Sequence, residues 1–344
     1  MRRTSKLLAL LLALTLAAGA CGDDDSADGE PGASDAEASL VIYSGRNEEL
    51  VGPLIDRFEE ESGFEVDVRY GDTAEMAAQI LEEGDNSPAD VFFGQDAGAL
   101  GALAAEGRLR PLSQTQLDLV PAGLRDDDGD WVGVSGRSRV VAYNTDALTD
   151  ADLPASILDF TDPKWDGKIG WAPTNGSFQA FVTALRVLQG EDAARAWLEG
   201  IKANGATSYD NNIAIIEALA AGEIEVGFVN HYYLYQYLAD DPAYPVANKV
   251  YGGGDIGALV NVAGVGVLTT AEHDDEASAF VDFLLSEEAQ RYFADETYEI
   301  PLASGVAPHE GVPTLDQLQP PALDLNDLDD LSGTLALLAE VGLV

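Results

Sequence analysis

Residues 40–94 read LVIYSGRNEELVGPLIDRFEEESGFEVDVRYGDTAEMAAQILEEGDNSPADVFFG. LVIYSG (40–45) is a short apolar, β-branched run and predicts a strand. NEELVGPLIDRFEEESG (47–63) sets Leu50, Val51, Leu54, Ile55 and Phe58 at helical spacing, with Asn47 as N-cap and Gly63 as stop. FEVDVRYG (64–71) alternates as a strand does, TAEMAAQILEEG (73–84) is a second helix, and ADVFFG (89–94) a third strand. QDAGALGALAAEG (95–107) supplies a third, weaker helix. Strand and helix alternating without a break predict parallel strands joined by crossover helices. Ligands of such sheets bind beyond the carboxyl ends of the strands, so the loops at 44–47 and 94–96 are candidate site loops on architecture alone.

A second βα region begins at GRSRVVAYN (136–144) and includes KIGWAPTNGSFQAFVTALRVL (168–188), a strand, a turn and a helix. A helix after Asn212 and the strand EIEVGFV (223–229) follow. GALVNVAGVGVL (257–268) reads as a buried strand, EASAFVDFLLSEEAQRYFADE (276–296) as one amphipathic helix, and TLALLAEVGLV (334–344) as a closing helix. There is no internal repeat of short period.

The chain opens MRRTSK and continues LLALLLALTLAAGAC, a basic segment, an apolar run and small residues before a cysteine. Residues 1–20 read as an export signal whose apolar run is too short to span a membrane comfortably. Ala18-Gly19-Ala20-Cys21 resembles a bacterial lipobox, with Ala18 where Leu is usual, so Cys21 is the expected lipidation site. Residues 21–38 are small, acidic and aperiodic, as in a flexible tether. One cysteine excludes an intrachain disulfide and a cysteine-rich zinc site. A formal net charge of -43 argues against nucleic acid as a partner and reads as solubility in a salty environment.

Gly252, Gly254 and Gly257 satisfy G-x-G-x-x-G, but the strand-like residues after them lack the dinucleotide-binding context and predict a turn. GVSGR (133–137) lacks the closing glycine of a nucleophile elbow. The three histidines lack zinc-site spacing; His273 and His309 read as solvated, while His231 touches a tyrosine cluster. No nucleophile, base and orienter emerge together, so the chain is not read as an enzyme. NHYYLYQY (230–237) holds four tyrosines. Packing explains Tyr235 and Tyr237. Tyr232 and Tyr233, about 100° apart on a helix, cannot both sit at the centre of one face, but at the start of an element they could aim two phenols into one cleft.

LVIYSGRNEELVGPLIDRFEEESG (40–63), PADVFFGQDAGALGALAAEGRLRPL (88–112), SGRSRVVAYN (135–144), DPKWDGKIGWAPTNGSFQAFV (162–182), AGEIEVGFVNHYYLYQYL (221–238) and GALVNVAGVGVL (257–268) resemble, in order, the ferric-ion-binding periplasmic proteins. The resemblance implies an α/β, bilobed type II periplasmic-binding-protein fold: two doubly wound mixed-sheet lobes joined by hinge strands. Lobe 1 would comprise 39–137 and 263–312, and lobe 2 138–262 and 313–344. It implies an extracytoplasmic, lipid-anchored monomer serving the permease of an ABC uptake transporter. The family's two iron-binding tyrosines match Tyr232 and Tyr233. Fe(III) is a hard cation that prefers anionic oxygen, and a bound cation draws down a phenol that otherwise titrates near pH 10.

Two positions depart from the family: Asn47 stands where relatives often have a histidine ligand, and Gln95 where they have glutamate. Glu48 is the candidate to replace the lost charge, and Tyr143 the candidate third phenolate. The family's synergistic carbonate or phosphate would be held by Arg137 or Arg139, only one of which is expected to face the cleft. The backbone at Asn175, Gly176 and Ser177 would assist, with Asn212 and Asn230 at anion-contacting positions. Two rivals stay open: a receptor for an organic anion such as a phosphonate, and a metal-dependent hydrolase on a similar fold.

Overall fold

A computed structural model describes residues 39–303 and 305–344; the expected leader, Cys21 and the acidic tether lie outside the described residues. The opening stretch folds as β1 (Ser39–Ser44), α1 (Glu48–Ser62), β2 (Glu65–Tyr70), α2 (Thr73–Glu83), β3 (Val91–Gly94) and α3 (Ala97–Ala105). Asn47 Oδ1 accepts from Glu49 N–H at 2.8 Å and Gly63 ends α1 at φ 75°, a left-handed turn in which glycine carries no steric penalty. Both β2 and β3 pair with β1 in parallel. The apolar face of α1 buries Leu50, Val51, Leu54, Ile55 and Phe58.

After β4 (Leu109–Arg110) and a short α4 (Gln114–Leu117) comes β5 (Trp131–Asn144), buried at every residue. Next are β6 (Ile169–Trp171), α5 (Gly176–Gln189), α6 (Glu191–Ala203), β7 (Thr207–Ser208), α7 (Asn212–Ala220), β8 (Val226–Asn230), α8 (Tyr232–Asp240) and β9 (Val246–Lys249). The chain returns through β10 (Val260–Leu268), α9 (Asp274–Leu284), α10 (Glu287–Asp295), β11 (Ile300–Pro301), α11 (Leu315–Leu318) and α12 (Leu331–Val341).

The strand order is β2-β1-β3-β10-β5-β8-β6-β7, and β5 is shared. Between Trp131 and Ser138 it pairs antiparallel with β10, and also with β11; from Arg139 to Asn144 it pairs with β8 and β9. Two sets of strands therefore meet where Ser138 gives way to Arg139. A cluster of Phe58, Phe93 and Phe280 backs the first set, and one of Phe160, Phe178, Phe181, Trp197 and Phe228 backs the second. The last helix, α12, belongs with the second set: Thr334 bonds Thr183 at 2.7 Å and Lys202 Nζ donates to Val341 O at 2.5 Å.

Two expectations change. The span 276–296 is two helices, not one, because Ser286 Oγ caps Ala289 N–H at 3.2 Å and begins α10 afresh; the apolar periodicity runs on across the junction and hides it. His273 is not a solvated histidine: its Nδ1 lies 2.9 Å from Oδ2 of buried Asp90, and that carboxylate raises the imidazole above its ordinary value. The glycine-rich 252–257 segment is a turn, with Gly253 at φ 64° and Gly254 at φ 85°. Among the described residues, no helix is long and apolar enough to cross a membrane.

Phe228 lies in β8, two residues before its end, fully buried against Phe160 and Trp197. Phe228→Ala should lower stability by about 3–5 kcal/mol in urea unfolding, and it should also loosen the strand end that carries Asn230.

Candidate ligand-binding site

β8 ends at Asn230, and the chain turns through His231 straight into α8, so Tyr232 and Tyr233 open a helix at the carboxyl end of a strand. Both are buried, and their rings lie 4.2 Å apart at 35°. The adjacent pair thus packs ring against ring, tilted, at the head of the helix. Burial, helped by the neighbouring Tyr232, pushes the Tyr233 phenol well above its ordinary value, while Arg46 works in the opposite direction.

His231 fixes this turn. Its N–H donates to Ser138 O at 3.0 Å, its Nδ1 accepts from Ser138 N–H at 3.1 Å, and its carbonyl accepts from Asn248 Nδ2 at 2.9 Å. With Nδ1 an acceptor, Nε2 carries the proton and donates to Tyr298 O at 3.0 Å. Burial pushes the ring down to about 4, so it is neutral at physiological pH. Both ring nitrogens are committed to backbone, and His231 serves the tyrosines as a brace.

Arg46, from the β1–α1 loop, is 2% exposed and forks onto Glu299, which is 0% exposed, with bonds of 2.9 and 2.6 Å. Ser135 and Thr297 hydroxyls each donate to Glu299 at 3.0 Å. Burial opposes the charge on both partners. The Arg46 charge and the hydrogen bonds outweigh it at Glu299 and hold the carboxyl below its ordinary value. Glu299 in turn lifts Arg46 above its own, and the Arg46 charge reaches both tyrosines.

Arg137 is 1% exposed, and neither of its terminal nitrogens has a hydrogen-bond partner. Burial lowers its pKa, while Tyr232, Asp96 and Glu299 favour its charge. Arg139 is pushed down to about 9 by burial and by Arg137. Its guanidinium donates to Phe228 O at 2.9 Å and to Asn230 Oδ1 at 3.5 Å, and lies over Phe178 and Phe181. The expectation that only one of these arginines faces the cleft is corrected. Residues two apart on a strand share a face, and both charges reach Tyr232. What separates them is bonding: Arg139 is tied into the second set, Arg137 is free at its tip.

The remaining anion candidates form one chain of contacts. Asn175 caps α5, its Oδ1 accepting from Ser177 N–H at 3.2 Å, Ser177 Oγ at 2.5 Å and Asn212 Nδ2 at 3.3 Å. Asn212 Oδ1 accepts from Asn230 N–H at 3.2 Å. Gly176, at the head of α5, abuts the first set: a Cβ there would stand 2.9 Å from Asp96 Oδ2 and 3.3 Å from Thr73 Cβ. Thr73 Oγ1 donates to Gly45 O at 2.8 Å and accepts from Gln95 N–H at 3.3 Å. Asp96 is buried, caps α3 through Ala99 N–H at 3.0 Å, and is raised by burial against the pull of Arg137.

Three of the candidate ligand residues have other surroundings. Asn47 is exposed and its side-chain oxygen caps α1. Glu48 is exposed on the first turn of that helix, beside Gly52, and its charge helps burial push Tyr70 up to about 12. Tyr143 pairs with Val226 at the opposite end of β8 from Asn230 and feels Asp150 and Lys249. Gln95 does lie at the rim with Asp96 and Thr73. Sequence reasoning missed Arg46, Asp96, Glu299 and the bracing role of His231. Arg46 and Asp96 lie in the two loops singled out by architecture; Glu299 gave no signal.

Six buried side-chain nitrogens around this cluster have no partner: Arg46 Nε, both Arg137 termini, Arg139 Nε, Asn230 Nδ2 and Asn261 Nδ2. Gln179 Oε1 and Asn248 Oδ1 are unpartnered acceptors nearby. A cluster of unpartnered donors fits a ligand rich in acceptors.

A family model described as "Bacterial extracellular solute-binding protein" matches residues 86–330. The major ferric iron-binding protein of Neisseria meningitidis serogroup B is 34% identical over 318 residues, 90% of this chain and 95% of that protein. The crystal structure of iron-bound HitA from Pseudomonas aeruginosa superposes with a TM-score of 0.84 at 36% identity, over 88% of this chain and 99% of that one. A Trichodesmium protein (IdiA, FutA) in complex with iron and citrate gives 0.71 at 29% identity, over 89% of this chain and 100% of that one.

Glu299→Gln leaves Arg46 buried and unpaired and should cost about 3–5 kcal/mol in urea unfolding. The double variant Arg46→Met/Glu299→Leu should recover most of that loss. A double variant as unstable as the single one would mean that the pair is not the unit.

Proposed function

We propose, since this chain belongs to the bacterial extracellular solute-binding proteins, a family of receptors and not of enzymes, that it is the Fe(III)-binding receptor of an ABC uptake transporter. The observation that carries the reading is the buried pair Tyr232 and Tyr233, ring against ring at the end of β8. Phenolate is a hard, anionic oxygen ligand suited to a small trivalent cation. Two phenolates leave one positive charge on Fe(III). Among the described residues, both carboxylates of the cluster are already engaged: Glu299 by Arg46, Asp96 by the head of α3. A synergistic anion, carbonate or phosphate, then supplies the rest of the shell. Arg137, whose two terminal nitrogens lack partners, and the turn at Asn175, Gly176 and Ser177 would hold it.

The change of partners along β5 supports the assignment of lobe 1 to 39–137 and 263–312 and lobe 2 to 138–262 and 313–344. The docking of α12 on α5 and α6 supports the return of the C-terminal segment to lobe 2. Cargo held between the lobes would favour the closed arrangement, in which Asp96 and Thr73 stand against Gly176. Delivery to a membrane permease, and anchoring through lipid on Cys21 with 21–38 as tether, complete the reading.

Titrating the protein with Fe(III)-citrate should raise a visible phenolate-to-iron charge-transfer band that saturates at one iron per chain and is lost in Tyr232→Phe/Tyr233→Phe. No band in carbonate or phosphate buffer would transfer the cleft to an organic anion. Metal binding displaces phenol protons, so apparent affinity should rise with pH, by about 100-fold per unit if both phenols ionise on binding. A citrate-competition series between about pH 5 and 7 measures that slope, and a flat series would exclude phenolate ligation.

A further inference from the structure

Asp96 meets both halves of the candidate anion site. Its Oδ2 lies 2.9 Å from where a Cβ on Gly176 would stand, at the head of α5, and its charge interacts with that of Arg137. Arg137 is 1% exposed with both terminal nitrogens unpartnered, so an oxyanion between Arg137 and α5 would have Asp96 as its neighbour. The backbone beside it is held: Asn261, the register partner of Arg137, accepts from Ala97 N–H at 3.2 Å.

A carboxylate can only accept hydrogen bonds. An aprotic oxyanion such as sulfate would set acceptor against acceptor, and charge against charge, in a buried place. Hydrogencarbonate or hydrogenphosphate carries an O–H that can donate to Asp96, while its other oxygens accept from Arg137 and the α5 amides. We propose that Asp96 is the specificity-determining residue of the anion site, admitting oxyanions that carry a proton and rejecting those that do not. The inference rests on the anion reading above and names the class of anion.

The test uses the iron-free protein and Asp96→Asn, a change that keeps a good cap on α3. Thermal shift is measured against sodium phosphate, hydrogencarbonate and sulfate at equal ionic strength, and the charge-transfer band in each salt is recorded in parallel. In the unaltered protein, phosphate and hydrogencarbonate should act at concentrations at least about tenfold below sulfate, since a buried acceptor left facing another acceptor is costly. Asp96→Asn, whose amide can donate, should bring sulfate to within a fewfold of phosphate. Equal responses to sulfate and phosphate, a ratio unchanged in Asp96→Asn, or no response to any anion would each overturn the proposal. Failure of the ferric reading looks different: no band appears in any salt, while the thermal-shift ratio of the iron-free protein still decides the role of Asp96.

Discussion

A carboxylate and a guanidinium withdrawn together from water, Glu299 and Arg46, hold the centre of this molecule. They join positions 253 residues apart in sequence. Arg46 fixes the carboxyl end of β1; Glu299 precedes β11 and also accepts from Ser135 on β5. One carboxylate therefore binds three segments of the first set of strands where that set meets the second. Such a pair contributes little net stability compared with apolar groups of the same shape, because desolvation offsets the attraction. Its value here is positional: it sets a fixed positive charge beside the two phenols.

The second half of the centre hangs on β5. One strand serves both sets, and at its changeover Ser138 is bonded twice by His231, the residue before the tyrosine pair. The same imidazole reaches Tyr298, a non-glycine residue at φ 58°. A left-handed tyrosine is a strained backbone conformation that persists only where surrounding contacts over-determine it. The hydrogen bond from His231 and the stacking of Tyr298 on Tyr235 are two such contacts. The phenols, the shared strand and the segment leading into β11 are thus tied together at the place where the two sets meet.

The chemistry of the cleft follows from what burial leaves unmatched. Arginine donors outnumber the acceptors available to them, and the carboxylates present are spoken for. Cations of the protein and a trivalent cargo can share such a space only if anions separate them. In the proposed reading two phenolates and an oxyanion would do so, with Asp96 selecting the oxyanion beside it. The buried positive charge stands in a chain with net charge -43, so the site is a local inversion of the molecule's overall field.

Much of the fold was legible in the sequence because it depends on local periodicity. The apolar spacing of α1, the alternation of β2, the Asn47 cap and the Gly63 stop are each written in a few neighbouring residues. The tyrosine pair was legible for the same reason: two adjacent phenols break the pattern a packed helix would follow. The junction at Ser286 was missed because its apolar phase continues across it. Asn47 and Glu48 were candidates because relatives carry ligands at those positions, but here Asn47's side chain caps the helix and Glu48 is exposed on its first turn. Tyr143 lies on the right strand at the wrong end. Register between β5 and β8 decides that, and register is a property of pairing, not of either strand. Glu299 was invisible, since nothing near it in sequence calls for a buried carboxylate. By itself the sequence determined the elements, their order and the phenol pair, because those are set by neighbours along the chain. Only the tertiary structure decided which charges are buried together, because partners such as Arg46 and Glu299, or Asp96 and Arg137, are chosen by packing across segments far apart in the chain.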